Sequence, residues 1–103
     1  MKFRKAEPED CAAIAEMWHL GWHAGHAEHV SAQLVATRTR AEFDDRTQAH
    51  LERTVVGEID GHLAGFYMLK DDELYQFYIG AAFRGTDAAT LQMTQVEQAL
   101  AGR

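Results

Sequence analysis

One cysteine and one proline are all that this 103-residue chain holds of either. A lone thiol, Cys11, excludes an internal disulfide and makes a reducing compartment the expectation. Basic residues are scarce too. Ten Lys and Arg stand against sixteen Asp and Glu, for a formal net charge of -6. That balance excludes the basic surface a nucleic-acid binder presents. No apolar run approaches membrane-spanning length, and the N-terminus has no signal-peptide core. A cytoplasmic protein with no membrane or nucleic-acid partner is the expectation. Internal repeats, low-complexity tracts and linkers are also missing.

Hydrophobic residues make up 47% of the chain, which points to a globular protein. Its length suits one small domain, 1–103, around one core. Lys2 to Ala6 has the character of a short strand. Pro8-Glu9-Asp10 then opens a helix, with proline in the first turn and acids at the positive end of the dipole. Cys11, Ile14, Ala15, Trp18 and Trp22 fall on one face of it, which makes Cys11 a packed thiol. Gly21 and Gly25 weaken that helix. A second helical stretch begins near Ser31. Thr39-Arg40-Ala41-Glu42 has capping-box spacing and starts a helix carrying Phe43, Thr47 and Leu51 inward. Arg38, Arg40 and Arg46, mixed with acids, suggest a solvated helix face.

Residues 53–59 pattern as a strand. Asp60-Gly61 is a tight-turn pair, and His62 to Leu69 is the return strand. Lys70-Asp71-Asp72 turns into Glu73 to Ile79. These segments predict a three-strand antiparallel meander. Thr86 or Asp87 caps a last helix, with Ala89, Met93, Val96 and Leu100 on its core face and Gly102 at its end. The fold class is therefore α+β, in the order β-α-α-β-β-β-α, with helices packed on the meander in α/β/α layers.

The stretch from Glu73 to Ala89 is the most informative. A strand runs into an Arg-Gly-small loop, and the loop runs into a helix start. Such a junction offers unpaired backbone N–H groups and a positive dipole end to an anion, which is what a phosphate requires.

Together these segments resemble the GNAT N-acetyltransferase superfamily across nearly the whole chain. Phe3 to Asp10 is similar to the family's opening, and Trp18 with Gly21-Trp22-His23 to a variant of its first helix and loop. Val55 to Phe66 is similar to its second and third strands. Arg84-Gly85-Thr86-Asp87-Ala88-Ala89 falls where the family has its Arg/Gln-x-x-Gly-x-Gly/Ala loop. The resemblance implies acetyl-coenzyme A (acetyl-CoA) as cosubstrate and a primary amine, on a small molecule or peptide, as acceptor. It places the coenzyme on Phe77, Tyr78 and Ile79 and on Arg84, Gly85, Thr86, Asp87, Ala88 and Ala89. It makes Glu73 the general base, against a reading of Glu73 as a solvated strand-end acid. Trp22, His23, His26 and Tyr75 would face the acceptor.

Two departures bear on activity. Asp87 stands where the family loop has glycine, so a carboxylate sits beside the expected phosphate, or caps the helix and occupies the same amides. The chain also stops before the family's usual C-terminal strand, helix and hairpin. That predicts an exposed edge along residues 73–79 and a homodimer through this strand or the last helix. The alternative function is a catalytically silent GNAT module that dimerises or binds a ligand. His19, His23, His26 and His29 are spaced by four, three and three residues. On helical spacing they suggest a third class, a metal-binding protein, but Gly21 and Gly25 interrupt the helix and no nearby cysteine completes a set, so no metal is assigned.

Overall fold

The computed structural model describes residues 1–26 and 28–102. Among the described residues the fold is α+β, with a four-stranded antiparallel sheet and four α-helices. The order is β1 (Lys2–Lys5), α1 (Cys11–His26), α2 (Ala32–Thr37), α3 (Arg40–Ala49), β2 (Thr54–Ile59), β3 (His62–Lys70), β4 (Glu73–Ile79) and α4 (Ala88–Ala101). Two compact units result. Glu7–Leu51 forms a helical unit, and Met1–Ala6 joins the stretch from Glu52 onward as a sheet unit.

In the helical unit, α1 runs through Gly21 and Gly25 to His26, so the expected weakening does not end it. The second helical stretch divides in two. Ser31 Oγ accepts from the Leu34 N–H at 3.1 Å, and Thr39 Oγ1 accepts from the Glu42 N–H at 3.3 Å, so each half begins on its own cap. Ile14, Ala15 and Trp18 of α1 are buried, as are Phe43 and Thr47 of α3. The Trp18 and Phe43 rings lie 5.4 Å apart, and the Arg46 guanidinium sits 4.5 Å from the Trp18 ring centroid.

The arginine cluster is not the solvated face that its mixed charges suggest. Arg40 pairs with Glu16 of α1 and with Asp44, and donates to the Ala12 carbonyl at 2.6 Å. Arg38 pairs with Glu42. Composition shows the charges but not that α1 and α3 bring them together. Cys11 is half-buried rather than packed away. Burial, then the carboxylates of Asp10 and Asp44, push its thiol above the ordinary 9.0, which keeps it protonated at neutral pH.

The sheet unit has strand order β1-β2-β3-β4, every pair antiparallel. The Asp60-Gly61 turn has φ of 52° and 78°, the left-handed pair a two-residue hairpin needs. Tyr67 and Leu69 of β3 form a buried cluster with Val96 of α4, and Val55, Leu74, Phe77, Ala99 and Leu100 pack against it. The core face of α4 differs from the expected one. Ala88, Gln92 and Val96 are buried, whereas Ala89 is exposed and Met93 is 38% exposed. Hydrophobicity favours the stripe through Ala89 and Met93, because the true stripe contains a glutamine.

Tyr67 is 1% exposed, and its hydroxyl proton is held above the ordinary value of 10.0 by burial, partly offset by a hydrogen bond with Gln95. A raised folded-state value gives stability that is present below the unfolded value and lost as pH climbs through the folded one. Unfolding free energy should therefore fall as pH rises past about 10. Tyr67→Phe should flatten that fall in urea titrations; an unchanged alkaline slope would place its origin elsewhere.

No helix among the described residues is long and apolar enough to cross a membrane.

Candidate functional site

The candidate site is built on β4 and the junction that follows it. β4 is an end strand of the sheet. Its register against β3 shifts between Met68↔Gln76 and Leu69↔Leu74, which makes Tyr75 the extra residue of a bulge. Beyond the bulge, the Gly80 N–H donates to the Ala64 carbonyl at 2.8 Å. Hydrogen-bonded pairs alternate in an antiparallel ladder, so Phe66 and Tyr78 form the next such pair. The backbone groups of Tyr78 therefore face β3. Those of Phe77 and Ile79 face outward, away from the sheet. The Ile79 carbonyl receives Arg84 Nε at 3.4 Å, which sets the guanidinium beside the strand end.

The loop is exposed from Arg84 to Asp87. A 3-10 turn, Ala81–Phe83, leads into it, and Gly85 takes φ of 80°, a left-handed conformation that suits glycine. Thr86 Oγ1 donates to the Phe83 carbonyl at 2.6 Å and accepts from the Ala88 N–H at 3.2 Å. Thr86 thus caps the first amide of α4. Asp87 occupies the N-cap position, but its side chain makes no capping bond. The Leu91 N–H reaches the Asp87 carbonyl at 3.0 Å, so the amides of Ala89 and Thr90 open the helix with no intrahelical acceptor. Asp87 leaves those amides unclaimed. Its carboxylate remains the one acidic group in the segment from Gly80 to Thr90.

The arrangement is linear. Glu73 is exposed at the start of β4, two residues before the bulge at Tyr75. Ile79 lies about 20 Å further along at roughly 3.3 Å per residue. The Lys70 ammonium sits 5.6 Å from the Tyr75 ring centroid. A strand carrying outward amides thus connects a carboxylate at one end to a helix N-terminus and an arginine at the other. Such a row can bind an anion at the helix end and polarise a carbonyl along the strand.

Trp22, His23 and His26 lie in the helical unit. The Trp22 and His26 rings stack 4.9 Å apart at 10°, and His19 meets His23 edge-on at 4.6 Å. His23 Nε2 contacts the Arg38 carbonyl at 2.7 Å, and His26 Nδ1 the Trp22 carbonyl at 2.9 Å. Each of these rings spends a nitrogen on the backbone. Among the described residues, no group of three or more His, Cys, Asp or Glu side chains is placed to hold a metal ion.

A separate cleft of about 710 Å³ lies on the sheet unit, lined by Lys5, Arg53, Tyr67, Leu69, Asp72 and Ala99 among others. It sits toward the C-terminal end of α4, remote from the Arg84 loop. Sequence reasoning missed Gln92, whose carboxamide reaches the backbone at the end of β4. The only signal in the sequence was one polar residue within an otherwise apolar stripe.

No protein-family model matches the chain, and no curated protein matches it in sequence. Solved structures match in fold. The GCN5-related N-acetyltransferase described as an aminotransferase, class II, from Rhodopseudomonas palustris superposes with a TM-score of 0.75 at 23% identity, over 99% of this chain and 66% of that one. The PaiA N-acetyltransferase from Thermoplasma acidophilum, solved in complex with coenzyme A, gives 0.72 at 18%, over 98% and 72%. An N-acetyltransferase from Staphylococcus aureus Mu50 gives 0.68 at 18%, over 96% and 76%. The chain thus spans about two thirds to three quarters of the lengths of these three proteins. At these identities the likeness is one of fold, and the fold is that of the GNAT acetyltransferases.

Proposed function

From the premise of a GNAT fold, we propose that this chain is an acetyl-CoA-dependent N-acetyltransferase-like protein acting on a primary amine. The observation that carries the proposal is the row of unclaimed amides from β4 into α4. The diphosphate of the coenzyme would rest on the amides between Gly85 and Thr90, with the Arg84 guanidinium beside it. The acetyl carbonyl would lie along β4, against the outward N–H of Phe77 or Ile79. Donors placed there favour the negative charge that develops on that oxygen as the amine attacks. Glu73 would take the proton from the attacking nitrogen through a chain of waters, because four residues of strand, about 13 Å at roughly 3.3 Å per residue, separate it from Phe77. Glu73 is exposed at the head of β4, so solvent reaches its carboxylate.

A second reading is favoured by one observation, the Asp87 carboxylate beside the same amides. In that reading the fold is retained as a silent module and coenzyme binding is lost. Calorimetry separates the two. Measurable heat with acetyl-CoA at high micromolar protein supports the transferase. Its absence supports the silent module.

The outward edge of β4 supports a further proposal, pairing with a second copy of the chain. Leu74 to Ile79 contains no charge and no proline to block it. Coenzyme and a second strand would compete for the same amides. Light scattering across a dilution series should show a dimer that shifts toward monomer when coenzyme A is added. A clean monomer at micromolar concentration without coenzyme would rule the dimer out.

A further inference from the structure

We propose that Gln92 is a positioning residue, whose carboxamide fixes the height of the α4 N-terminal turn above the end of β4. The inference rests on the reading of Gly85 to Thr90 as the diphosphate cradle. Gln92 Nε2 donates to the Phe66 carbonyl at 2.9 Å and to the Tyr78 carbonyl at 3.2 Å. It therefore binds two neighbouring strands at once, one residue before Ile79. Gln92 is fully buried. Its approach depends on Gly65. A Cβ there would fall 2.4 Å from Gln92 Oε1, 2.7 Å from the Tyr78 carbonyl oxygen and 2.8 Å from Ile79 Cδ1. The helix thus stands on bare backbone at this point, and any side chain at residue 65 would lift it.

Stability alone does not account for this glutamine. The Phe66 and Tyr78 carbonyls are already paired within the ladder, so the carboxamide adds a second bond to each. Gln92 Oε1 has no hydrogen-bond partner among the described residues. An unmet acceptor in the interior destabilises, and an apolar side chain of the same size would avoid it. What the carboxamide adds is direction. Gln92 lies three residues beyond Ala89 and two beyond Thr90, within one helical turn of the amides that open α4. Two directed bonds to the sheet hold those amides in register with the outward N–H groups of Phe77 and Ile79, which an apolar contact free to slide would not do.

Gln92→Met tests the inference, with Val96→Ala as a control one turn further along. The expected result is a Gln92→Met melting temperature equal to or above that of the parent, with coenzyme A affinity reduced about fivefold or more. In ligand-free amide spectra, the signals of Gly85 to Thr90 should also move. Val96→Ala should lower the melting temperature and leave affinity within about twofold. Gln92→Glu gives a second route, because a carboxyl donates only when protonated. Lowering the pH should return those signals toward their parent positions. The inference is overturned if the amides of Gly85 to Thr90 stay in place in both Gln92 variants, or if affinity only tracks melting temperature across the set. Should the parent protein fail to bind coenzyme A, the cradle reading falls, while the ligand-free spectra still decide whether Gln92 positions the loop.

Discussion

Replacing Trp18 with alanine should destabilise the protein by about 3–5 kcal/mol, the range for removing a fully buried large aromatic. Trp18 is 0% exposed, packs on Phe43 and lies under the Arg46 guanidinium. Truncation removes the ring, leaves a cavity and strips Arg46 of its aromatic platform. Domains of this size hold only about 5–15 kcal/mol in total, so the variant should melt at least 10 °C lower. Trp18→Phe keeps an aromatic face and should recover more than half of the loss. Thermal unfolding followed by circular dichroism measures both. A Trp18→Ala melting temperature within a few degrees of the parent would show that the packing of α1 on α3 does not hold the helical unit together.

The second large effect is a gain. Asp87→Gly should tighten coenzyme A binding about tenfold at low salt, by removing a carboxylate from beside the amides that would hold a diphosphate. Asp87 makes no side-chain capping bond, so neither α4 nor the Thr86 cap depends on it. Asp87→Asn distinguishes charge from bulk. A gain in both variants identifies electrostatic repulsion, and a gain in glycine alone identifies the Cβ. The gain should shrink as salt rises, because exposed charges are screened over about 10 Å at 0.1 M. Calorimetric titrations at two salt concentrations provide the comparison. Unchanged or weaker affinity in both variants would remove the diphosphate from this loop.

Much of the fold was legible because local chemistry and tertiary structure agree. Asp60-Gly61 needed left-handed backbone and received it, Thr39 capped the helix its spacing implied, and β4 runs from Glu73 to Ile79 as patterned. The sequence was misleading wherever a polar side chain has a purpose only the assembled backbone reveals. Hydrophobicity chose Ala89 and Met93 over the buried Gln92, because the carbonyls Gln92 meets belong to β3 and β4. Arg40 seemed solvated because its partners Glu16 and Ala12 lie on another helix. The loop was readable as an Arg-Gly-small junction. That Thr86, and not Asp87, takes the first amide depends on hydroxyl geometry that no spacing rule encodes. The bulge at Tyr75 depends on register between strands, which one strand's sequence does not carry.

The most direct test is an amide-resolved titration of the isotope-labelled protein with coenzyme A. Saturable shifts should centre on Gly85, Thr86, Asp87, Ala89 and Thr90 and continue onto Phe77 and Ile79. Saturation with those amides unmoved, or shifts confined to the cleft around Tyr67 and Ala99, would remove the coenzyme from the β4–α4 junction.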